Sequence, residues 1–330
     1  MWYARGMRRA SIFLLVFAAG LAALSWEVLW QHFASLALGV SAIGTALTLA
    51  VTMGGMTLGA MWAARRLERV PSDRPFRGYG LCELVIGLSG LMMPQGFALL
   101  EHWDSQWYMA YPLLTTVMHS LGIALLLGLP TMAMGATIPL LGLVARQRNL
   151  SLASVYATNT AGAAVGCLLI AFLLIPDLGI DLTIHLVALI NIAVCGLSWL
   201  VRPVVDEAAV EPVVETAEEG RVDWARRGLW IAAVTGFATF ALEVAWFRSL
   251  RSAFQSTTDT FAIILAAVLI ALAIGGRLAT WIHRRGYRMP LFLALGGVGI
   301  LLATPAIERF DLIEGLGTYW EILGKWALVS

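Results

Sequence analysis

The sequence predicts an all-α, polytopic helical membrane protein with about nine transmembrane helices. Three observations predict it. Of the 330 residues, 59% are hydrophobic and 13% charged, against about 25% charged in soluble domains. Mean hydropathy is +0.80, more apolar surface than a soluble core can bury. Nine apolar segments fit a hydrocarbon thickness of about 30 Å, which takes about 20 helical residues. The net charge of +1 argues against a nucleic-acid partner and leaves the lipid bilayer as the first one.

The segments run approximately over 11–34, 41–63, 78–100, 113–144, 153–175, 181–201, 228–247, 258–276 and 288–305. The fourth is too long for one straight crossing. Pro130 and Pro139 interrupt it, so a broken or strongly tilted helix is expected. With the N-terminus in the cytoplasm, 18 of the 22 basic residues fall in cytoplasmic segments, as the positive-inside rule asks. Only Arg248, Arg251, Arg309 and Lys325 fall on the far side. Trp103, Trp107, Tyr108, Trp199, Trp230 and Trp281 lie near the segment ends, where aromatic belts form.

The first segment has the basic start, apolar core and small residues of a signal peptide. An internal repeat rejects that reading. Shifted by 216 residues, Gly20–Trp30 (GLAALSWEVLW) lies on Gly236–Trp246 (GFATFALEVAW), without a gap from Gly20/Gly236 to Gly59/Gly275. The identities include Glu27/Glu243, Val28/Val244 and Trp30/Trp246. A cleaved leader has no reason to recur. Six segments separate the copies, an even number, so both enter in the same direction and form parallel repeats. The predicted organisation is a first six-helix unit over 1–201, a cytoplasmic linker over 202–227 and a partial second repeat over 228–330. Between Asp206 and Glu219 the linker carries six acids and no base, with Pro203 and Pro212 nearby, which predicts a solvated tether. Nothing in the second unit matches Leu125–Gly142 or the fifth and sixth segments. A protein partner or a further C-terminal module is therefore expected to cover spans seven to nine.

Five stretches in order, Gly20–Trp30, Thr45–Glu68, Gly80–Leu91, Leu129–Leu141 and Tyr156–Ile180, resemble the membrane region of bacterial fused spermidine-synthase-like proteins. These are described as fusions of a major-facilitator-like transporter with a spermidine synthase. The resemblance covers about residues 10–300. It implies a multi-pass protein of the bacterial cytoplasmic (inner) membrane and a link to polyamines. It also implies a cytosolic aminopropyltransferase-like domain of Rossmann type. No glycine-rich strand-to-helix turn followed by an acid lies outside the apolar segments. No catalytic residue is therefore carried over, and no cofactor is expected.

The remaining candidates are polar residues within apolar segments. Glu27 and Trp30 share a helix face. A carboxylate beside an indole suits an amine, through Coulomb attraction and cation–π contact, and Glu243 with Trp246 supplies a second pair. The competing reading has each Glu capping or bonding a neighbouring helix near the interface, for instance to Arg248 or Arg251. Glu83 is expected to pair with Arg77 or Arg65. Asn159 precedes the close-packing pattern Gly162-xxx-Gly166 and is expected to bond backbone freed by Pro130 or Pro139. His119 and His185 have no companions at ligand spacing, and Cys82, Cys167 and Cys195 have no CxxC spacing. No metal site is expected, and the cysteines read as small buried hydrophobes. Asp177 and Asp181 flank Gly179 in an expected turn, and Asp259 suits a helix start.

Three functions follow as alternatives. The first is binding or transport of a polyamine or other organic cation. The second is a structural membrane subunit or anchor of a larger complex. The third is the membrane part of a longer aminopropyltransferase-like enzyme.

Overall fold

The computed structural model describes residues 2–37, 42–69, 75–107, 109–200, 219–254, 257–283, 295–299 and 301–302. Among these, nearly every residue is helical and none lies in a strand. The chain forms two compact units, Met1–Glu211 and Pro212–Ser330.

The first unit contains α1 (Trp2–Ala37), α2 (Ala42–Arg69), α3 (Pro75–Leu91), α4 (Met93–Trp107), α5 (Pro112–Gln147), α6 (Leu152–Leu169) and α7 (Ile175–Leu200). The second contains α8 (Glu219–Phe254) and α9 (Thr257–His283). Among the described residues, five stretches are long and apolar enough to cross a membrane: Ala10–Ala37, Ala46–Leu67, Val117–Gln147, Leu152–Leu200 and Gly228–Phe247. The pair α3–α4, bent by 45°, makes a sixth. The architecture is that of a helical protein compatible with multiple membrane passes, with fewer qualifying spans than the nine expected. Part of the difference is at α9, whose apolar stretch Thr258–Ala271 is short. Most of the expected ninth segment lies outside the described residues.

Another part is at Leu152–Leu200, which covers two expected segments. Pro176 lacks an N–H and its ring crowds the carbonyl four residues back. A π-helical turn over Ile170–Leu174 precedes it and widens the coil there. Three residues on, Gly179 has φ 79° and ψ 168°, a backbone open to glycine. The chain must double back at this point. Gly162 of α6 lies against Phe17 of α1, while Asn191 of α7 binds Trp26 of α1. These α1 residues are about 14 Å apart along the axis, whereas a straight helix would separate Gly162 from Asn191 by about 43 Å. The turn expected at Gly179 is thus a helix reversal.

The expected break in the fourth segment is absent. α5 runs through Pro130 and Pro139 as one helix. The Thr131 hydroxyl donates to the carbonyls of Leu127 and Gly128, and that of Thr137 to Met134, supplying donors in the turns that proline impoverishes. The bend falls instead between α3 and α4, where Pro94 would crowd the carbonyl of Gly90. α5 ends in a Schellman turn. Asn149 takes φ 49°, and Leu150 N–H donates to Ala145 O at 2.8 Å and Asn149 N–H to Arg146 O at 3.2 Å. Ser151 then caps α6, its hydroxyl accepting from Ser154 N–H.

α1 is the hub of the first unit. It packs on α6 and α7, α3 packs on α7 and α5, and α2 packs on α5. α3 and α7 run antiparallel, since Gly80 meets Ser198 and Gly87 meets Asn191. One core cluster joins Ile12, Leu15, Val16 and Ala19 of α1 to Phe76 and Tyr79 of α3, Leu140 and Val144 of α5, Val155 of α6 and Val194 of α7. Gly162 and Gly166 let the α6 backbone lie directly on that of α1, where a Cβ would overlap the carbonyls of Phe17 and Leu21. In the linker, the helix begins at Glu219, so its last residues are helical rather than a tether. Residues 201–218 lie outside the described residues.

Candidate functional site: a buried polar relay around α1

The second half of α1 places four large or polar side chains in successive turns. Trp26 is 0% exposed, Glu27 4%, Trp30 1% and Gln31 2%. Trp26 and Trp30 are one turn apart and share one face, and Glu27 and Gln31 form the adjacent stripe. Glu27 lies inside the bundle, close to Cys167 of α6. The side chains of Arg248 and Arg251, named as its partners, lie outside the described residues.

Trp26 begins a chain of hydrogen bonds through three helices. Its Nε1–H donates to Asn191 Oδ1 of α7 at 2.8 Å. The Asn191 amide donates to Glu83 Oε2 of α3 at 2.7 Å. Tyr79, one turn before Glu83, is a further hydrogen-bonding neighbour of that carboxyl. Asn191 is 0% exposed, Tyr79 1% and Glu83 3%. Gly90 makes room for the relay, since a Cβ there would sit inside the Trp26 ring.

The relay corrects one expectation directly. Glu83 pairs with Asn191 and Tyr79, not with Arg77 or Arg65. Arg77 instead lies over the Trp199 ring, 5.2 Å from its centroid, so Trp199 serves as a cation platform. A guanidinium keeps part of its hydration there, whereas reaching Glu83 would drag it into the apolar core. Asn159 is also corrected. Its carbonyl and side-chain oxygens lie against Gly20 of α1, not against backbone near Pro130 or Pro139. Gly20 is seven residues before Glu27, about 10 Å along the axis, so the structure keeps Asn159 apart from the relay.

In the second unit, Glu243 is 6% exposed and Phe247 2%. Phe247 meets Phe261 of α9 edge to face, centroids 6.1 Å apart. Trp246 is half-buried. The indole N–H groups of Trp30 and Trp246, matched in the repeat, are both buried without an acceptor among the described residues. The reading of residues missed Trp26 as a donor, and it missed Asn191 and Tyr79 altogether. Asn191 had one signal: it is an amide inside the apolar run ALINIAV. Among the described residues, no group of three His, Cys, Asp or Glu side chains is placed to hold a metal. No family model matches the chain, no curated protein matches it, and no solved structure does.

Proposed function

We propose that the chain is a multi-pass protein of the cytoplasmic membrane, its N-terminus cytoplasmic, that binds or carries a polyamine or similar organic cation. On this reading Glu27 with Trp30 and Glu243 with Trp246 are the amine contacts, one in each of two parallel repeats, and Glu83 is the acid behind them. The observation that carries it is the burial of the repeated carboxyls. A charged side chain within a membrane span costs up to about 2.5–3.5 kcal/mol on insertion scales, less towards the span's end, so a buried acid in an apolar stretch is a candidate for function. Yet Glu27 is 4% exposed and Glu243 6%, although the two helices that bear them are otherwise packed very differently. The resemblance to the membrane region of spermidine-synthase-like proteins points to the same ligand class.

Proteoliposomes or detergent-solubilised protein titrated with spermidine test the reading. Wild type is expected to respond by uptake or by a raised melting temperature, and the Glu27→Gln, Glu243→Gln double variant to lose that response. Equal behaviour of the two proteins removes the proposal. A second reading, a structural subunit of a complex, is favoured by the bare apolar face of α8, where Leu229 is 71% and Phe237 77% exposed. A stable, monodisperse monomer that binds spermidine counts against it.

A further inference from the structure

We propose that the groove between the C-terminal end of α2 and α5 is a binding site for one anionic phospholipid. The groove, of about 460 Å³, is lined by Leu58, Met61, Trp62, Arg65 and Arg66 of α2 and Met132 of α5. The five α2 residues follow the spacing i, i+3/i+4, i+7/i+8 and so share one helix face. Along that face, over about 12 Å, the chemistry changes from aliphatic to indole to paired guanidinium. A phospholipid entering a bilayer has the same order: acyl chain, interfacial glycerol, charged phosphate.

The position along the span agrees. Arg65 and Arg66 close the apolar stretch Ala46–Leu67, where hydrocarbon gives way to headgroups. Trp62 is 62% exposed one turn deeper, the level at which tryptophan anchors. Both arginines are exposed, and neither forms an ion pair among the described residues. Two guanidinium forks, each able to hold phosphate oxygens bidentately, are therefore presented together. A zwitterionic headgroup brings its own ammonium to compete for the phosphate, so net negative charge is the selected property. The wall opposite α2 is set by a close crossing. Gly59 lies on the Met132 backbone and Gly135 on that of Met56, which brings the Met132 side chain to the groove.

Trp62 reports occupancy. In nanodiscs, fluorescence lost by wild type beyond that lost by a Trp62→Phe variant isolates this indole. Quenching by brominated phosphatidylglycerol is expected at several-fold lower mole fraction than by brominated phosphatidylcholine. The Arg65→Gln, Arg66→Gln double variant, substituted only at exposed positions, is expected to bring the two lipids to near-equal quenching. A roughly tenfold rise in NaCl is expected to weaken the preference in wild type. Equal quenching of wild type by the two lipids overturns the proposal, and so does a preference that survives the double substitution in protein of unchanged melting temperature. A preference indifferent to salt does so as well.

Discussion

α1 and α8 carry the same Glu-Val-x-Trp motif, and their surroundings differ sharply. In α1, 61% of the apolar window is buried; in α8, 6%. Gly20 is pressed on Asn159 of α6, while its counterpart Gly236 has nothing within 4 Å of where a Cβ would be. Leu21 lies under Gly166, and its counterpart Phe237 is 77% exposed. What survives in both is the burial of the acid. The two matched stretches therefore share a buried acid, while the helices around each decide whether the small-residue face is a packing surface. α6 and α7 supply that surface in the first unit.

The largest expected effect comes from breaking what only α1 has. Asn191→Leu strips the acceptor from Trp26 and the donor from Glu83 together, and is expected to cost about 3–5 kcal/mol. Thermal or denaturant unfolding in detergent measures it, and a loss under about 1 kcal/mol contradicts the relay as a stabilising network. The matched glycines give the next contrast. Gly20→Ala drives a methyl group into the Asn159 carbonyl and is expected to destabilise by about 1–3 kcal/mol. Gly236→Ala meets open space and is expected to be neutral, or stabilising by up to about 1 kcal/mol through helix propensity. Equal costs at the two positions would mean that α8 is packed as α1 is.

The indoles sharpen the comparison further. Trp26→Phe and Trp30→Phe remove similar volume from buried sites. Only the first also removes a hydrogen bond and strands the Asn191 oxygen, so it is expected to be worse by about 1–2 kcal/mol. The smallest effect is expected at Arg77→Lys. The guanidinium on Trp199 is partly solvated and an ammonium keeps much of the cation–π attraction, so the loss should stay near or below about 0.5 kcal/mol. A larger loss in the same unfolding measurement would show that this contact anchors the start of α3.

The helical class was legible because apolar length and composition are local properties, readable a segment at a time. Glu27, Glu83 and Glu243 stood out for the same reason: an acid in an apolar run is conspicuous on its own. Their partners were not legible. Asn191 is 108 residues from Glu83 and 165 from Trp26, and no periodicity says which amide meets which acid. The arginines proposed for Glu83 were near in sequence, but a charge near a span end gains more from water and an aromatic face than from a dry core. Of the two outcomes expected at Pro130 and Pro139, the break does not occur. Their local cost is real, yet neighbouring threonine hydroxyls and the packing on α2 hold α5 together. Pro94, just past Gly90 and the Trp26 ring, marks the actual bend.

The reversal at Gly179 also sets a timetable for biogenesis. Trp26 and Glu27 leave the ribosome long before the hairpin that covers them. At roughly 5–20 residues per second, the Trp26 indole waits on the order of 10–30 s for Asn191. If the helices enter a bilayer as they are made, the polar stripe of α1 would need shelter from lipid tails during that interval, for which a pairing with α2 is the nearest source. Slowing translation between residues 150 and 190 should therefore raise turnover of the nascent chain, and a chain with Glu27→Leu should tolerate the delay better.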